Sequence, residues 1–307
     1  MSKPAHITLL NQKRPGNSTD HSPKVGLLYS SPMGLWLTLF FLLPVFLILT
    51  YSFLARGPRG GVVWEFSLEA FRSLANPVFL RVTIQTFVIA IISTSITMVL
   101  ALPSGYYMAR SGNKSLLMLV IIPFWVNFLI RVYAWIAILG REGMLNDLLR
   151  ALGIIDQPIQ FLFNTPTVIL VHVYSYLPFA ILPLYAAIEK FDFTLLEAAR
   201  DLGANHITSL IKILLPGIRG GLFASVLFTF IPTFGSYAIP DLVGGATSYM
   251  LGNIIANEVL RTRNWPLASA ISVVITLVTS FALFLYFMLQ RTSSNKQFTL
   301  VQEETGV

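Results

Sequence analysis

The stretch TLLEAARDLGANHITSLIKILLP, residues 194 to 216, separates two long apolar segments. Thr194, followed three residues later by Glu197, matches a capping box, in which the two side chains satisfy free N–H groups at a helix start. The pattern predicts a short helix from Thr194 that stops at Gly203, because glycine tolerates the left-handed conformation of a helix end. A second helical run is expected from residue 206 to 215, ending at Pro216.

The composition is that of a membrane protein. Of 307 residues, 55% are hydrophobic and only 11% are charged, whereas soluble domains carry about 25% charged residues. Mean hydropathy is +0.70. Six stretches reach the ~20 apolar residues that a helix needs to cross a hydrocarbon core. The sequence therefore predicts an all-α membrane protein with six transmembrane helices.

The expected organisation is a polar N-terminal tail at 1–32, a six-helix domain at 33–290 with a polar loop at 189–219, and a C-terminal tail at 291–307. Both tails and the polar loop are expected in the cytoplasm, and the first span is expected to be retained rather than cleaved. Lys and Arg are slightly more numerous on the sides that this arrangement places inside. The predicted spans are 34–54, 82–109, 115–139, 165–188, 220–239 and 267–289.

Two loops carry further local signals. In the first, Trp64, Phe66 and Phe71 predict a short amphipathic segment at the membrane interface. In the second, a short helix near 144–152 is expected to close at Gly153.

Polar side chains lie within two predicted spans. Asn127 and Arg131 are one helical turn apart, which places them on one face of a continuous helix. Arg131 is expected either to reach the outer headgroups or to pair with a carboxylate or a backbone carbonyl. His172 is a candidate ligand or a partner in an interhelical hydrogen bond. Tyr174 and Tyr176 are predicted on other faces of that helix.

The fifth predicted span contains helix-breaking residues in its outer half, namely Pro232, Gly235 and Pro240. A broken helix within a membrane requires cover from protein or water, so this half is expected to line a cavity. Asp241 follows at the outer mouth, with Tyr237 one turn before it.

No catalytic or metal-binding pattern is present. The sequence has no GxxxxGK[ST] phosphate loop and no HExxH motif. Because it also contains no cysteine, disulfides, thiolate metal sites and a cysteine nucleophile are excluded. Its 21 Lys and Arg are scattered rather than gathered in a stripe, so lipid and not nucleic acid is the expected partner.

Two classes of function fit these observations. One is a transport subunit driven by a separate ATPase. The other is a self-sufficient secondary transporter or membrane enzyme, which would be expected to keep ionisable sites at mid-membrane, often within an inverted repeat. Only Asn127, Arg131 and His172 are candidates for such sites.

The polar loop resembles the EAA signature of the membrane subunits of ABC importers. In that family this loop is the coupling helix, which docks on a cytoplasmic ATPase, so the resemblance implies a transport subunit that does not hydrolyse ATP itself. The matching residues are Glu197, Ala198, Ala199, Gly203, Ile213, Leu215 and Pro216.

Other segments resemble the spermidine/putrescine permeases within these importers. The segments are PFWVNFLIRVYAW at 123–135, YLPFAILPLYAAIEKFD at 176–192, PDLVGG at 240–245 and RNWPLASA at 263–270. One departure is Pro240, where a small polar residue is expected. The resemblance implies a type I importer fold in the bacterial inner membrane, with primary substrate selection by a separate binding protein.

The resemblance also implies partners: a second permease subunit, two ATPase subunits that hold ATP and Mg²⁺, and a polyamine-binding protein. No cofactor is expected on this chain. Related permeases import other small solutes, such as opines, amino acids or iron complexes, and these remain the alternative.

A polyamine path should offer carboxylates and aromatic faces, because ammonium groups interact favourably with both. Asp241 with Tyr237 is the first candidate, followed by Trp135, Tyr176 and Glu258. The alternative role for Asp241 is a loop cap or a contact with the binding protein.

Overall fold

The computed structural model describes residues 23–281 and 283–284. Residues 1–22 of the predicted N-terminal tail and the whole predicted C-terminal tail lie outside these ranges. The chain divides into two units, residues 1–47 and 48–307. In the first unit, helix already begins at Pro23, so residues 23–32 of the predicted tail are helical.

The described elements are mostly helices. Single turns of π-helix at 38–42, 210–214 and 240–244 and of 3-10 helix at 122–125 and 246–248 connect them. In chain order, the main elements are α1 (Pro23–Leu37), α2 (Leu43–Tyr51), β1 (Leu54–Arg56), β2 (Val62–Phe66), α3 (Glu69–Ser73), α4 (Pro77–Ser111), α5 (Lys114–Ile121), α6 (Phe128–Leu139), α7 (Met144–Ala151), α8 (Thr165–Glu189), α9 (Thr194–Asp201), α10 (His206–Ser209), α11 (Leu215–Gly217), α12 (Arg219–Phe234), α13 (Leu251–Leu260) and α14 (Trp265–Phe281).

Asparagine side chains begin many of these helices. At each such start the Asn Oδ1 accepts a hydrogen bond from a backbone N–H in the first turn, which satisfies a donor that the helix itself leaves free. In α4 and α8 a proline in the first turn adds a fixed φ angle suited to a helix start. The capping residues are Asn76 (α4), Asn113 (α5), Asn127 (α6), Asn164 (α8) and Asn205 (α10).

The loop after the first span forms a β-hairpin and the short helix α3, rather than the single amphipathic segment predicted there. Strands β1 and β2 pair antiparallel, and the turn uses Gly60 and Gly61 at φ +85° and +81°. Such angles are readily available only to glycine. The predicted secondary structure of this segment is therefore wrong, while Trp64 and Phe66 are exposed, at 77% and 75%.

Three helical segments are long and apolar enough to cross a membrane: Ser30–Tyr51, Pro77–Ser111 and Thr165–Glu189. Two further pairs pass the same test but are bent, by 89° between Ser115–Trp125 and Phe128–Ala151 and by 78° between His206–Gly217 and Arg219–Phe234. α14 is a shorter apolar helix, and the end predicted for its span, residue 289, lies outside the described residues.

The third predicted span is not a continuous helix. The chain is extended at Val126 and Asn127, with ψ angles of 133° and 138°. Asn127 Oδ1 then accepts from Leu129 N at 2.8 Å and starts α6. The prediction that Asn127 and Arg131 share one face of an unbroken helix is therefore wrong, because the amide side chain caps a new helix instead.

The fifth predicted span is also shorter than expected, since α12 ends at Phe234 rather than Ile239. Asn253 Nδ2 donates to the carbonyl of Tyr237 at 2.9 Å, which ties the start of α13 to the chain just beyond the break. A Cβ atom on Gly252 would lie 2.9 Å from Ser236 C and 3.0 Å from Gly235 O. Helix α13 thus covers the break with its own backbone, as the proline and glycine pattern in this region requires.

Helices α4, α8 and α12 pack against one another and form the centre of the second unit. Their buried positions include many small hydroxyl residues, among them Ser93, Thr97, Ser225 and Thr229. Small side chains let helix backbones approach closely, and this drives helix association where lipid is the solvent. Three of these hydroxyls, on Thr97, Ser225 and Thr229, donate to carbonyls one turn earlier, for example Thr229 Oγ1 to Ser225 O at 2.8 Å.

The closest approach within this centre is between α8 and α12. Ser225 Oγ lies 2.8 Å from Ala180 O and donates across the helix pair. One turn earlier, a Cβ atom on Gly221 would overlap the Cβ of Ala187 and lie 2.9 Å from Pro183 O. The missing side chain at Gly221 therefore sets the spacing of the two helices.

We predict that Gly221→Ala destabilises the folded subunit by about 1–3 kcal/mol, since the added methyl group has no space against α8. Gly220→Ala is the matched control, because no atom lies within 4 Å of a Cβ at that position. Thermal denaturation of the detergent-purified subunit, followed as loss of the monodisperse peak in size-exclusion chromatography, measures both. Equal midpoints for the two variants would contradict the packing argument.

Candidate functional site

The polar loop begins its helix where the sequence predicts, at Thr194, but by different contacts. The Asp192 carboxylate accepts from Thr194 N at 3.0 Å and from Thr194 Oγ1 at 2.8 Å. These two hydrogen bonds hold the pKa of Asp192 below its usual value. The predicted capping box between Thr194 and Glu197 is wrong, because the Thr194 hydroxyl turns back to Asp192.

The end of α9 confirms the prediction at Gly203, whose φ is +90°. Gly203 N donates to Arg200 O at 2.9 Å and Ala204 N to Ala199 O at 3.0 Å. This pair of hydrogen bonds is the Schellman arrangement, which requires a residue that tolerates a left-handed backbone. The same arrangement closes α7 at Gly153, as predicted, with φ +67°.

The second helical run extends beyond its predicted end. It consists of α10, a π turn over residues 210–214, and α11, which continues to Gly217. Pro216 lies in the first turn of α11, where a residue without an N–H is tolerated. The prediction that Pro216 ends the run is therefore wrong by a residue, and the chain turns at Ile218 into α12.

The polar loop has a buried and an exposed side. Leu196 is fully buried and Leu214 is 2% exposed, so these leucines join the loop to the ends of α4 and α8. Leu202, by contrast, is 90% exposed. On the exposed side lie Glu197, Ala198, Gly203 and Pro216, with Ala199, Ile213 and Leu215 half-buried. The residues that match the EAA signature thus combine an outward surface with its attachment to the helical core.

Asp241 and Tyr237 lie together in an open pocket of about 150 Å³. Asp241 N donates to Tyr237 O at 3.0 Å, and both side chains are exposed. The pocket is also lined by Tyr249, Asn253, Ala256, Asn257, Leu260 and Arg261. It therefore offers a carboxylate and aromatic faces, next to one guanidinium.

The remaining candidates for a substrate path do not lie in this pocket. Glu258 accepts from the Thr262 hydroxyl. Trp135 packs edge-on against Tyr174, with ring centroids 5.4 Å apart. Tyr176 lies 3.4 Å from Pro232 O and lines a separate, mainly apolar cavity of about 460 Å³.

Arg131 does not make the predicted pair with a carboxylate or a backbone carbonyl within the described part of the chain. Its guanidinium lies over the rings of Phe124 and Phe128, at 5.1 and 5.9 Å from their centroids, and its buried Nε has no hydrogen-bond partner. Among the described residues, no carboxylate or carbonyl pairs with it. Attraction between the cation and the electron-rich ring faces takes the place of the expected ion pair.

His172 is fully buried, and neither ring nitrogen has a hydrogen-bond partner. Its ring stacks on Tyr176 at 5.9 Å. The two residues thus share a helix face, four positions apart, contrary to the prediction that they point apart. Within the described ranges, no group of three or more His, Cys, Asp or Glu is placed to hold a metal ion.

Asn253 also lines the pocket, a role that was not predicted from the sequence. Its amide accepts from Met250 N at 3.1 Å and donates to Tyr237 O, so it joins the start of α13 to the end of the broken span. The available signal was an asparagine near the start of the run LGNIIANEVL, a position typical of helix caps.

Comparisons with known proteins agree with this geometry. Residues 97–294 match the family described as "Binding-protein-dependent transport system inner membrane component". The chain is 38% identical over 264 residues to the spermidine/putrescine transport system permease protein PotB of Escherichia coli, covering 85% of this chain and 96% of that protein. The Haemophilus influenzae PotB matches at 38% over 85% of this chain and 92% of its own length.

Two further matches extend the comparison. The inner membrane ABC transporter permease protein YdcU of Escherichia coli is 32% identical over 241 residues, which is 73% of this chain and 75% of that protein. A chain of the crystal structure of a bacterial ABC transporter that imports alginate superposes with a TM-score of 0.68, at 18% identity, over 88% of this chain and 96% of its own. At that identity the superposition concerns the fold alone. The chain belongs to the family of binding-protein-dependent transport system inner membrane components, as a permease subunit of an ABC importer.

Proposed function

We propose that this permease subunit imports polyamines, of the spermidine and putrescine class. The observation that carries the proposal is the match to PotB, at 38% identity over 96% of the length of that protein. The match includes both the loop at 189–219 and the pocket around Asp241. The segments proposed for coupling to the ATPase and for passage of the substrate therefore lie within it.

The proposed topology has six spans with both termini in the cytoplasm. Its support is the three long apolar helices, the two bent pairs and the shorter α14. An even number of spans puts both ends on one side. The loop at 189–219 then faces the cytoplasm, where an ATPase can reach its exposed side.

The proposed complex contains a second permease subunit, two ATPase subunits and an extracytoplasmic polyamine-binding protein. ATP and Mg²⁺ belong to the ATPase subunits. When ATP closes the ATPase pair, the coupling helices α9 of the two permeases move together, and the spans rock to open the cavity outward. The binding protein then releases its polyamine into that cavity, which closes outward and opens inward after hydrolysis.

In this scheme the movement of the ATPase subunits is transmitted to the polar loop. Helix α9 is amphipathic, with Leu196 buried against the helical core and Leu202 extended into solvent. A partner groove that encloses the exposed side would bury apolar surface. Because the buried side is continuous with the ends of α4 and α8, a push on α9 moves those helices too.

The proposed substrate path passes Asp241 and Tyr237. A carboxylate beside exposed tyrosine faces suits a flexible chain of ammonium groups, because ion pairing and cation–π contacts act on the same ligand. Arg261 in the same pocket opposes tight binding of a cation. A weak site suits a transporter, which must also release what it binds.

Uptake of radiolabelled spermidine and putrescine tests the proposal. The chain, expressed with its neighbouring transport genes in a bacterial strain that lacks polyamine uptake, should restore accumulation that depends on the ATPase. Unlabelled opines, amino acids and iron complexes serve as competitors. Competition by one of these, without polyamine uptake, would assign the subunit to another solute.

We predict that Gly203→Pro reduces uptake to background while the subunit still inserts in the membrane. Proline cannot adopt the φ of +90° seen at Gly203 and lacks the N–H that bonds to Arg200 O. The matched control is Gly153→Pro, which breaks the same cap at the end of α7. Uptake measured at equal membrane levels should be lost only in the first variant, and normal uptake with Gly203→Pro would contradict the assigned coupling role.

We also predict that Asp241→Asn raises the KM for uptake by about tenfold or more, since a hydrogen bond to a charged group contributes about 1.5–3 kcal/mol. The control is Asp156→Asn, which removes the same charge from an exposed position in another loop. Initial uptake rates over a range of spermidine concentrations measure both. An unchanged KM and maximal rate for Asp241→Asn would remove Asp241 from the substrate path.

A further inference from the structure

Two phenylalanines lie where α8 passes into the coupling helix. The rings of Phe191 and Phe193 meet edge to face, with centroids 5.8 Å apart. The carbonyl of Phe193 accepts from Leu196 N at 3.0 Å and from Glu197 N at 3.3 Å. Phe193 thus forms the first hydrogen bonds of α9, so it moves when that helix moves.

Phe193 also contacts the end of α4. The Arg110 guanidinium lies 5.3 Å from its ring centroid, and the ring of Tyr106 meets it edge-on at 6.3 Å. Phe193 therefore adds an aromatic contact between the start of the coupling helix and α4, beside the buried Leu196.

Phe191 makes the corresponding contact with the end of α11, directly before the bend into α12. A Cβ atom built on Gly217 would overlap Phe191 Cε2 and lie 2.9 Å from its Cδ2. The ring thus fills the space that a side chain at Gly217 would need. Directly after this contact lies Ile218, which is 2% exposed and marks the 78° bend between the loop and α12.

Beyond the bend, α12 is fastened to α8 by the close approach of Gly221 and by the hydrogen bond of Ser225 to Ala180 O. The Phe191 ring contacts the loop at Gly217, the last residue before the bend, and the covalent chain continues from there through Ile218 into α12. Protein interiors are close-packed and resist compression. A displacement of α9 that moves Phe193 is therefore passed through Phe191 to Gly217.

From this arrangement we infer that Phe191 is a positioning residue, a wedge against Gly217 that transmits the movement of the coupling helix to the cytoplasmic end of α12. The inference rests on the proposed function, because it assigns the route of coupling within the same importer. It concerns residues outside the segment that matches the EAA signature. It also distinguishes transmission through Phe191 from docking, which uses the exposed side of α9.

The test uses the complete importer reconstituted in proteoliposomes, with ATP hydrolysis measured with empty and with spermidine-loaded binding protein. In Phe191→Ala the ATPase subunits should still copurify and hydrolyse ATP at the basal rate. Stimulation by the loaded binding protein and spermidine uptake should both fall by about tenfold, within the range known for disrupted coupling networks. Phe281→Ala, which truncates an exposed ring on α14, should retain the wild-type stimulation.

A compensating pair of substitutions separates the wedge from a general structural role. Gly217→Ala alone should lose stimulation, since its methyl group displaces the ring. Adding Phe191→Leu, which lacks the overlapping Cε2 atom, should restore part of the stimulation. The double variant should therefore be stimulated more than the sum of the two single-variant losses predicts. Gly217→Ala with and without Phe191→Leu tests the wedge even if Phe191→Ala fails to insert in the membrane.

Three outcomes would overturn the inference. Wild-type stimulation in Phe191→Ala would show that the ring transmits nothing. Loss of the ATPase subunits on copurification would show that the ring shapes the docking surface instead. Strict additivity in the double variant would show that the two residues act separately. If the wild-type importer itself showed no stimulation by spermidine-loaded binding protein, that result would contradict the proposed function and not the role of Phe191.

Discussion

The close packing of α12 against α8 is the contact on which the rest of the second unit depends. In lipid there is little hydrophobic drive to bring two apolar helices together, so close packing and hydrogen bonds hold them. Gly221 permits the approach and Ser225 adds a hydrogen bond from one helix to the other. Together with α4, helices α8 and α12 form the centre of this unit. The polar loop and the pocket around Asp241 lie at the ends of that centre.

The same need for close packing applies at the two ends of α12, which lead to the polar loop and to the pocket around Asp241. At the end next to the polar loop the chain bends by 78°, the bend is buried at Ile218, and the Phe191 ring fills the space beside Gly217. At the other end the helix stops at Phe234, and Asn253 donates to the carbonyl of Tyr237 just beyond that end. Breaks in a membrane helix are stable only where neighbouring protein supplies such cover. The irregular segments consequently expose polar side chains, such as that of Asp241.

Several predictions succeeded because they depend on local chemistry. The start of α9 at Thr194, its cap at Gly203 and the cap of α7 at Gly153 follow from backbone angles that few residues adopt. The long span at 165–188 was found from length and apolar composition alone. Errors arose where one residue had two possible partners. Thr194 bonds to Asp192 rather than within a capping box, and Asn127 caps α6 rather than facing the membrane interior.

By itself the sequence determined that the chain is a bundle of apolar helices with a polar loop that matches the EAA signature, because span length, helix caps and motif spacing are all properties of neighbouring residues. Only the tertiary structure decided where the spans bend and which side chains meet. Phe191 fills the space beside Gly217, Arg131 lies over Phe124, and Asn253 reaches Tyr237. The last two pairs join separate helices, and the first joins the two sides of the loop. No local sequence signal identifies the partner in any of these pairs, because each contact requires the space left when helices pack at a particular distance and angle.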